Sequence, residues 1–193
     1  FIGFLFLSVL SPLIGDSWMG ILCSMVLAMI AVGLLGVLIQ RIAYQPMLAA
    51  PRLSILITAL AVSMILSNAV MAFTDGEYLA FSTDLGYEGL EMGNVFITYT
   101  QMVLVGAAAV LMTALYLFVH RTMYGKAMRA IAIDQDACRL MGIHVNRIIA
   151  LTFFIGTSLA ASAGIMAGTY YGSINFYMGF VIGLKAFTAA VIG

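Results

Sequence analysis

The chain has 193 residues, of which 64% are apolar and 8% charged, and its mean hydropathy is +1.12. Soluble globular domains carry about 25% charged and roughly 45–50% apolar residues, so this composition excludes a water-soluble monomer. The 8 basic and 8 acidic side chains cancel, and this balance excludes a strong overall field that would attract nucleic acid.

Uncharged apolar stretches of the chain are long enough to cross a bilayer as helices. Four of them are residues 18–39, 53–74, 95–119 and 148–171. A bilayer core of about 30 Å needs about 20 helical residues, which each stretch supplies. Residues 1–15 and 180–193 resemble two shortened segments of the same kind. The sequence therefore predicts an all-α fold, a polytopic transmembrane helix bundle with about six apolar segments.

The chain ends and the cysteines bear on the organisation of the protein. The sequence starts at Phe1 rather than at Met and stops at Gly193 inside an apolar run. We therefore expect residues 1–193 to be a single transmembrane domain that is truncated at both ends. Cys23 and Cys138 lack the spacing of metal ligands and belong to different levels of the bilayer, so we expect neither a disulfide nor a metal site.

Charged residues divide the loops into two kinds that alternate along the chain. The basic loops contain Arg41 and Arg52, and Arg121, Lys126, Arg129, Arg139 and Arg147. The acidic loops contain Asp16, and Asp75, Glu77, Asp84, Glu88 and Glu91. Because Lys and Arg are retained on the cytoplasmic side, we expect the basic loops inside and the acidic loops outside. The acidic loop 75–94 is either a solvated connector or a docking surface for a basic partner, and both interpretations stay open.

Small residues recur at every fourth position of the last long span. They are Gly156, Ala160, Gly164, Gly168 and Gly172. In lipid, rows of small residues let two helix backbones approach closely. We expect a ridge on one helix face, which serves either as a tight helix pair within the chain or as a sliding surface between moving bundles.

Motifs of common enzymes are missing from the sequence. It contains no HExxH, no GxSxG and no Gly-rich P-loop, and His120 and His144 lie in a basic loop without obvious carboxylate partners. We therefore expect no catalytic residue, no metal and no cofactor on this chain. The four uncharged spans contain no carboxylate, which argues against a proton relay inside them. If the protein works against a gradient, the energy must come from a partner or from coupled ions.

The inner segment of residues 120–147 has the pattern of a short helix. An N-cap, two charges that complement the helix dipole and a C′ glycine stand at Asp134, Asp136, Arg139 and Gly142. They predict a helix over residues 135–141. Its Ala137, Leu140 and Met141 share one apolar face. A helix of this kind either rests on lipid headgroups or docks on a partner protein.

Several motifs resemble those of a known family. Residues 136–142 (DACRLMG) resemble the EAA-xxx-G loop of ABC importer permeases, with Asp136 in place of glutamate and Cys138 in place of the second alanine. Further motifs are residues 41–46 (RIAYQP), 125–130 (GKAMRA), 147–153 (RIIALTF) and 183–193 (GLKAFTAAVIG). In this order they are similar to LivH-type permeases of branched-chain amino acid ABC importers, from about Gln40 to the end of the chain.

This resemblance implies a function and a set of partners. It implies a permease subunit that translocates leucine, isoleucine and valine across the bacterial cytoplasmic (inner) membrane. The implied partners are a second related permease, cytoplasmic ABC ATPases that use the ATP, and an extracytoplasmic substrate-binding protein. Asp136, Ala137 and Gly142 would dock the ATPase, with Arg129 as a further contact. The alternatives are a permease for urea or short amides, an ion-coupled carrier or channel, and a purely structural membrane anchor.

Lys185 is the one charged residue within the last apolar stretch. A charge in lipid is costly, so such a residue is a candidate for the substrate pathway, together with Asn175. Alternatively, Lys185 extends its ammonium group to the outer interface, and both interpretations stay open. Tyr170 and Tyr171 are expected to be interfacial anchors.

Overall fold

The computed structural model describes residues 1–6, 8, 18–47, 52–74, 76–80, 89–92 and 95–192. Its α-helices, in chain order, are α1 (Trp18–Ile39), α2 (Arg52–Thr74), α3 (Tyr99–Arg121), α4 (Met123–Ile133), α5 (Gln135–Leu140), α6 (Val145–Tyr171) and α7 (Met178–Ile192). A π-helix (Gln40–Tyr44) and a 3-10 helix (Gln45–Met47) continue α1. Residues 2–6 are also helical. The fold is all-α, as the sequence predicts.

The predicted apolar spans are present as long helices. In the described part of the chain, the helices long and apolar enough to cross a membrane are Leu22–Tyr44, Ile57–Thr74, Tyr99–Arg121 and Val145–Tyr171. The prediction of four spans is therefore confirmed. The predicted segment 180–193 corresponds to the shorter apolar helix α7. The predicted segment 1–15 lies mostly outside the described residues.

One predicted boundary is wrong. Residues 95–98, predicted as the first turn of a span, form the strand β3 (Val95–Thr98), which pairs with β2 (Gly89–Met92). The helix α3 begins only at Tyr99. Most residues of this strand are β-branched and favour extended structure, whereas hydropathy alone does not separate an apolar strand from an apolar helix.

A second small sheet joins two loops at one end of the bundle. The strand β1 (Leu79–Ala80) pairs antiparallel with β4 (Ser173–Ile174), and Leu79 lies opposite Ile174. This pairing places the connection after α2 beside the end of α6. The charge pattern assigns both of these connections to the outer side, so the pairing agrees with the predicted alternation of the loops.

The helices α1 and α6 pack against each other in opposite directions. Near the inner end, Tyr44 contacts Phe153 with ring centroids 4.9 Å apart. Further along, Ala28 shares a buried cluster with Ile165. Residue numbers thus rise along α6 as they fall along α1, which defines an antiparallel pair.

Two glycines of α1 set the close approach of this pair. A Cβ atom at Gly33 would overlap the side chains of Phe154 and Ser158, and a Cβ atom at Gly36 would overlap Thr157. Small residues at a helix contact let the two surfaces fit together, which is how helices associate in lipid. The tight helix pair therefore exists, but its glycines are on α1.

The five small residues of the predicted ridge differ in their exposure. Gly156, Ala160 and Gly164 are exposed, and a Cβ atom at Gly156 or Gly164 would lie in open space. Gly168 is buried, whereas Gly172 ends the helix in the left-handed conformation with a φ of 67°. Positions four apart advance by about 40° around a helix, so the series changes its direction gradually along α6. The ridge stays a prediction, both as a tight helix contact and as a sliding surface.

Candidate functional site: coupling segment and outer cavity

A tight bend between α3 and α4 sets the direction of residues 120–147, the predicted coupling segment. The hydroxyl of Thr122 donates to the carbonyl oxygen of Phe118 (2.6 Å) and accepts from the N–H of Gly125 (3.1 Å). A Cβ atom at Gly125 would overlap the carbonyl oxygens of Phe118 and Val119. This bend therefore requires glycine, which explains the first residue of the motif GKAMRA.

Asp134 begins α5 in the predicted way. Its carboxylate accepts hydrogen bonds from the backbone N–H groups of Asp136 and Ala137, at 2.9 and 3.1 Å. Such a cap is worth about 1 kcal/mol. Arg139 donates to the carboxylate of Asp136 at 3.3 Å. Both of these side chains are exposed, so this ion pair adds little.

Gly142 ends α5 with the backbone geometry of a C′ residue, which confirms the predicted terminator. Its φ is 80°. The N–H of Gly142 donates to the carbonyl oxygen of Arg139 (3.1 Å), and the N–H of Ile143 donates to that of Cys138 (3.0 Å). These two bonds define a Schellman motif, which satisfies the last carbonyl groups of the helix.

A small apolar core fixes the coupling segment to α6. Its buried residues come from α4, α5 and the first turn of α6 and are Ile131, Cys138, Val145 and Ile148. Cys138, a departure from the EAA motif in the sequence, is the buried residue of α5. Free cysteine is among the residues most often buried, and this tendency is the signal that could have identified it.

The opposite side of α5 is apolar and exposed. Leu140 and Met141 are 91% and 82% exposed, and Ala137 is exposed as well. Among the described residues nothing covers this face, and clustered exposed apolar residues mark an interaction surface. The helix itself ends at Leu140, one residue before the predicted end, with Met141 as its C-cap.

The four residues predicted to dock an ATPase all lie on this segment and are all exposed. Asp136 and Ala137 belong to α5, Gly142 follows that helix, and Arg129 lies on α4. Asp136, Ala137 and Gly142 belong to the capped helix or its end, whereas Arg129 lies on the preceding helix. Their role in docking stays a prediction.

A buried amide in the inner half of the bundle has no counterpart among the predictions. Gln40 opens the π-helix after α1 and is only 2% exposed. Its Nε2 atom has no hydrogen-bond partner among the described residues. A buried donor without a partner lowers stability, and π-helical turns are frequent at functional sites. The sequence offered no signal here, because periodicity does not reveal which polar residue of a span faces a neighbour.

A cavity of about 360 Å³ lies at the opposite end of the bundle. Its wall includes Tyr78, Tyr171, Asn175, Tyr177, Ile182 and Lys185. The structure thus brings the two predicted pathway residues, Lys185 and Asn175, into one site. The Asn175 side-chain oxygen accepts the N–H of Tyr177 at 3.1 Å. Tyr170 and Tyr171 are exposed and pack edge to face, 5.2 Å apart.

In the described part of the chain, four helices that are long and apolar enough to cross a bilayer define a multi-pass membrane protein. The chain belongs to the family described as the permease component of branched-chain amino acid transport systems, whose family model matches residues 1–193. The resemblance to LivH-type permeases is therefore confirmed. Members of this family are transport components rather than enzymes.

Curated relatives support the same assignment. The high-affinity branched-chain amino acid transport system permease protein BraD of Pseudomonas aeruginosa is 43% identical over 162 residues, which cover 82% of this chain and 53% of BraD. The corresponding LivH proteins of Salmonella typhimurium and Escherichia coli are 38% and 37% identical over 190 residues, which cover 93% of this chain and 60% of each relative. The chain thus spans little more than half the length of these relatives. No solved structure matches the chain.

Proposed function

We propose that the protein is the permease subunit of an ATP-driven importer and translocates leucine, isoleucine and valine across the bacterial cytoplasmic membrane. The relatives support this cargo, because BraD and LivH are named high-affinity branched-chain amino acid transport system permease proteins. These names favour branched-chain amino acids over urea and short amides. In this proposal a soluble extracytoplasmic binding protein delivers the amino acid, and a second related permease completes the pathway.

The coupling segment is the observation that carries the ATP-driven part of the proposal. Asp134 and Gly142 fix the two ends of α5, and Cys138 fixes its buried side to α6. The free side presents Leu140 and Met141. Because packed cores do not deform continuously, a displacement of this helix moves the span behind it.

Cytoplasmic ABC ATPases bind this surface and supply the energy. Asp136, Ala137 and Gly142 contact the ATPase, with Arg129 as a further contact. Leu140 and Met141 provide the apolar centre of the interface, which charged residues surround as in other protein interfaces. ATP is bound and hydrolysed on the ATPase subunits, and this chain holds no cofactor.

The displacement reaches the outer cavity through α6. This helix carries the apolar core at its first turn and Tyr171 of the cavity wall at its last. Since α6 packs tightly on α1, the two helices move as one body. Rocking of this pair against the remaining helices opens the pathway to alternate sides of the membrane.

Uptake of radiolabelled leucine into liposomes tests the proposal. The liposomes contain the full-length protein, the second permease, the ATPases and, on the outer side, the binding protein. We expect uptake that requires ATP inside and the binding protein outside, and that stops when the Walker-A lysine of the ATPases is replaced. Undiminished uptake without the ATPases would instead identify a channel or an ion-coupled carrier. Calorimetry of the binding protein with leucine, isoleucine, valine and urea tests the cargo.

A further inference from the structure

Lys185 in the wall of the outer cavity has a charge that no carboxylate in the described part of the chain neutralises. It lies on α7, which is otherwise uncharged and apolar. Within the described part of the chain, the one ion pair joins Arg139 and Asp136, so no described carboxylate balances the ammonium group of Lys185. A charge in an apolar span is costly and, as a rule, has a functional role. The cavity therefore presents a cation with no ion-pair partner among the described residues.

The cavity wall combines this cation with a hydrogen-bond donor and an apolar surface. The side-chain oxygen of Asn175 accepts the N–H of Tyr177, so the Nδ2 group of Asn175 remains as a donor for a ligand. Val181 and Ile182 belong to the same wall, within one helical turn of Lys185. One charge, one amide donor and a branched aliphatic surface thus meet in one cavity.

We propose that this cavity is an outer subsite for the translocated amino acid. The Lys185 ammonium pairs with the α-carboxylate of the amino acid, the Asn175 amide donates to the same group, and the aliphatic side chain packs on Val181 and Ile182. The cavity volume of about 360 Å³ lies in the range of small-molecule sites, about 300–1,000 Å³. This inference rests on the proposed transport function and adds the residues that receive the cargo.

The pairing of β1 with β4 brings Tyr78 into the wall of this cavity. Tyr78 directly precedes β1, and Asn175 directly follows β4, the strand that pairs with β1. The small sheet therefore holds two distant parts of the chain beside one cavity. A wall assembled in this way gives the ligand a fixed geometry, which is what selective binding requires.

Ligand binding to the full-length permease complex in nanodiscs, without the binding protein, tests the inference. Saturation-transfer NMR and equilibrium binding compare leucine with leucinamide, which lacks the carboxylate. We expect the wild-type complex to prefer leucine. Lys185→Met should lower the affinity for leucine about tenfold or more, because it removes a hydrogen bond to a charged group. It should also remove the preference for leucine over leucinamide. Lys185→Arg should retain it.

Two further variants separate binding from folding. Thr188→Val changes a neighbouring residue of the same helix. The hydroxyl of Thr188 donates to the backbone carbonyl oxygen of Lys185, at 2.8 Å, and this bond does not involve the ammonium group. This variant should therefore leave the preference for leucine over leucinamide unchanged. Asn175→Ala should lower the affinity for leucine more than the affinity for leucinamide. All variants are compared at equal assembly with the second permease and the ATPases, as measured by size exclusion.

Three results would overturn the inference that the cavity binds the amino acid. A Lys185→Met complex that still prefers leucine over leucinamide overturns the inference, as does a wild-type complex with no preference. A variant that keeps the preference but loses stimulation of the ATPases by the binding protein also overturns it, and assigns Lys185 to an acidic group of that partner. In all three cases, ATP-driven leucine uptake by the wild type leaves the proposed function intact. Its absence would contradict the proposed function itself.

Discussion

The hydroxyl of Ser158 on α6 donates a hydrogen bond of 2.8 Å to the carbonyl oxygen of Met29 on α1. Hydrogen bonds between membrane helices contribute on average about 0.6 kcal/mol, so this bond alone does not hold the two helices together. Gly33 and Gly36 beside it let the side chains of α6 fill the space against α1. Close packing is therefore the main reason that these helices form one unit.

Replacement of Gly36 by alanine should separate this helix pair. The added Cβ would overlap Thr157, and overpacking of this kind lowers stability by about 1–3 kcal/mol. Denaturant titration of the purified full-length protein in detergent measures the change in the free energy of unfolding. Gly106→Ala on α3 is the matched control, because its Cβ would lie in open space. That control should be neutral or slightly stabilising, and equal losses in the two variants would contradict the packing described for α1 and α6.

Replacement of Asp134 by alanine should loosen α5. The variant loses both hydrogen bonds of the N-cap, which are worth about 0.5–2 kcal/mol together. Hydrogen exchange followed by mass spectrometry should show faster exchange at the amides of Asp136 and Ala137. Asp134→Asn retains an acceptor and should exchange as the wild type does. If the alanine variant exchanges no faster, the capping role is wrong.

Replacement of Gly142 by valine should uncouple ATP hydrolysis from leucine uptake. The space around Gly142 is open, so the effect comes from its positive φ, where other residues lose about 1–2 kcal/mol. Gly142→Asn is the control, because asparagine tolerates this conformation. Uptake and ATPase rates are measured in liposomes at equal subunit assembly. Normal uptake by the valine variant would show that the end of α5 has no part in coupling.

Replacement of Leu140 by serine should weaken ATPase binding without affecting the fold. The side chain is 91% exposed, and exposed substitutions change stability by about 0.5 kcal/mol or less. Loss of one apolar contact at the centre of an interface lowers affinity about fivefold to thirtyfold, or about 1–2 kcal/mol. Met123→Ser, at a similarly exposed position at the start of α4, is the matched control. Co-purification and surface plasmon resonance with the ATPase distinguish the two variants, and equal affinities would place the interface elsewhere.

Local signals made the coupling segment predictable from the sequence. The cap at Asp134 and the positive φ at Gly142 depend on residues within three or four positions, so their chemistry is visible in the sequence. The orientation of α5 was harder to predict from the sequence, because the burial of Cys138 depends on contacts with α4 and α6. Comparison with the EAA motif shows Cys138 only as a mismatch, whereas its burial against α4 and α6 explains why an apolar residue stands at this position.

Contacts between distant parts of the chain were not predictable. Tyr78 joins Asn175 and Lys185 in one cavity only because β1 pairs with β4, and two-residue strands leave no periodic signal. The burial of the small residues on α6 was not predictable either. A spacing of four places them near one another on the helix surface, but which neighbour they face depends on the packing of distant helices.

A cross-link between α5 and the ATPase tests the central claim most directly. The full-length protein carries Leu140→Cys and Cys23→Ser, and Cys138 stays in place because it is buried. A short bismaleimide is applied to inside-out vesicles that contain ATPase variants with single cysteines. We predict a cross-linked permease–ATPase product whose yield changes when ATP binds. An intact complex that gives no such product, or a Leu140→Cys thiol that reacts only from the extracytoplasmic side, would contradict the coupling role of α5.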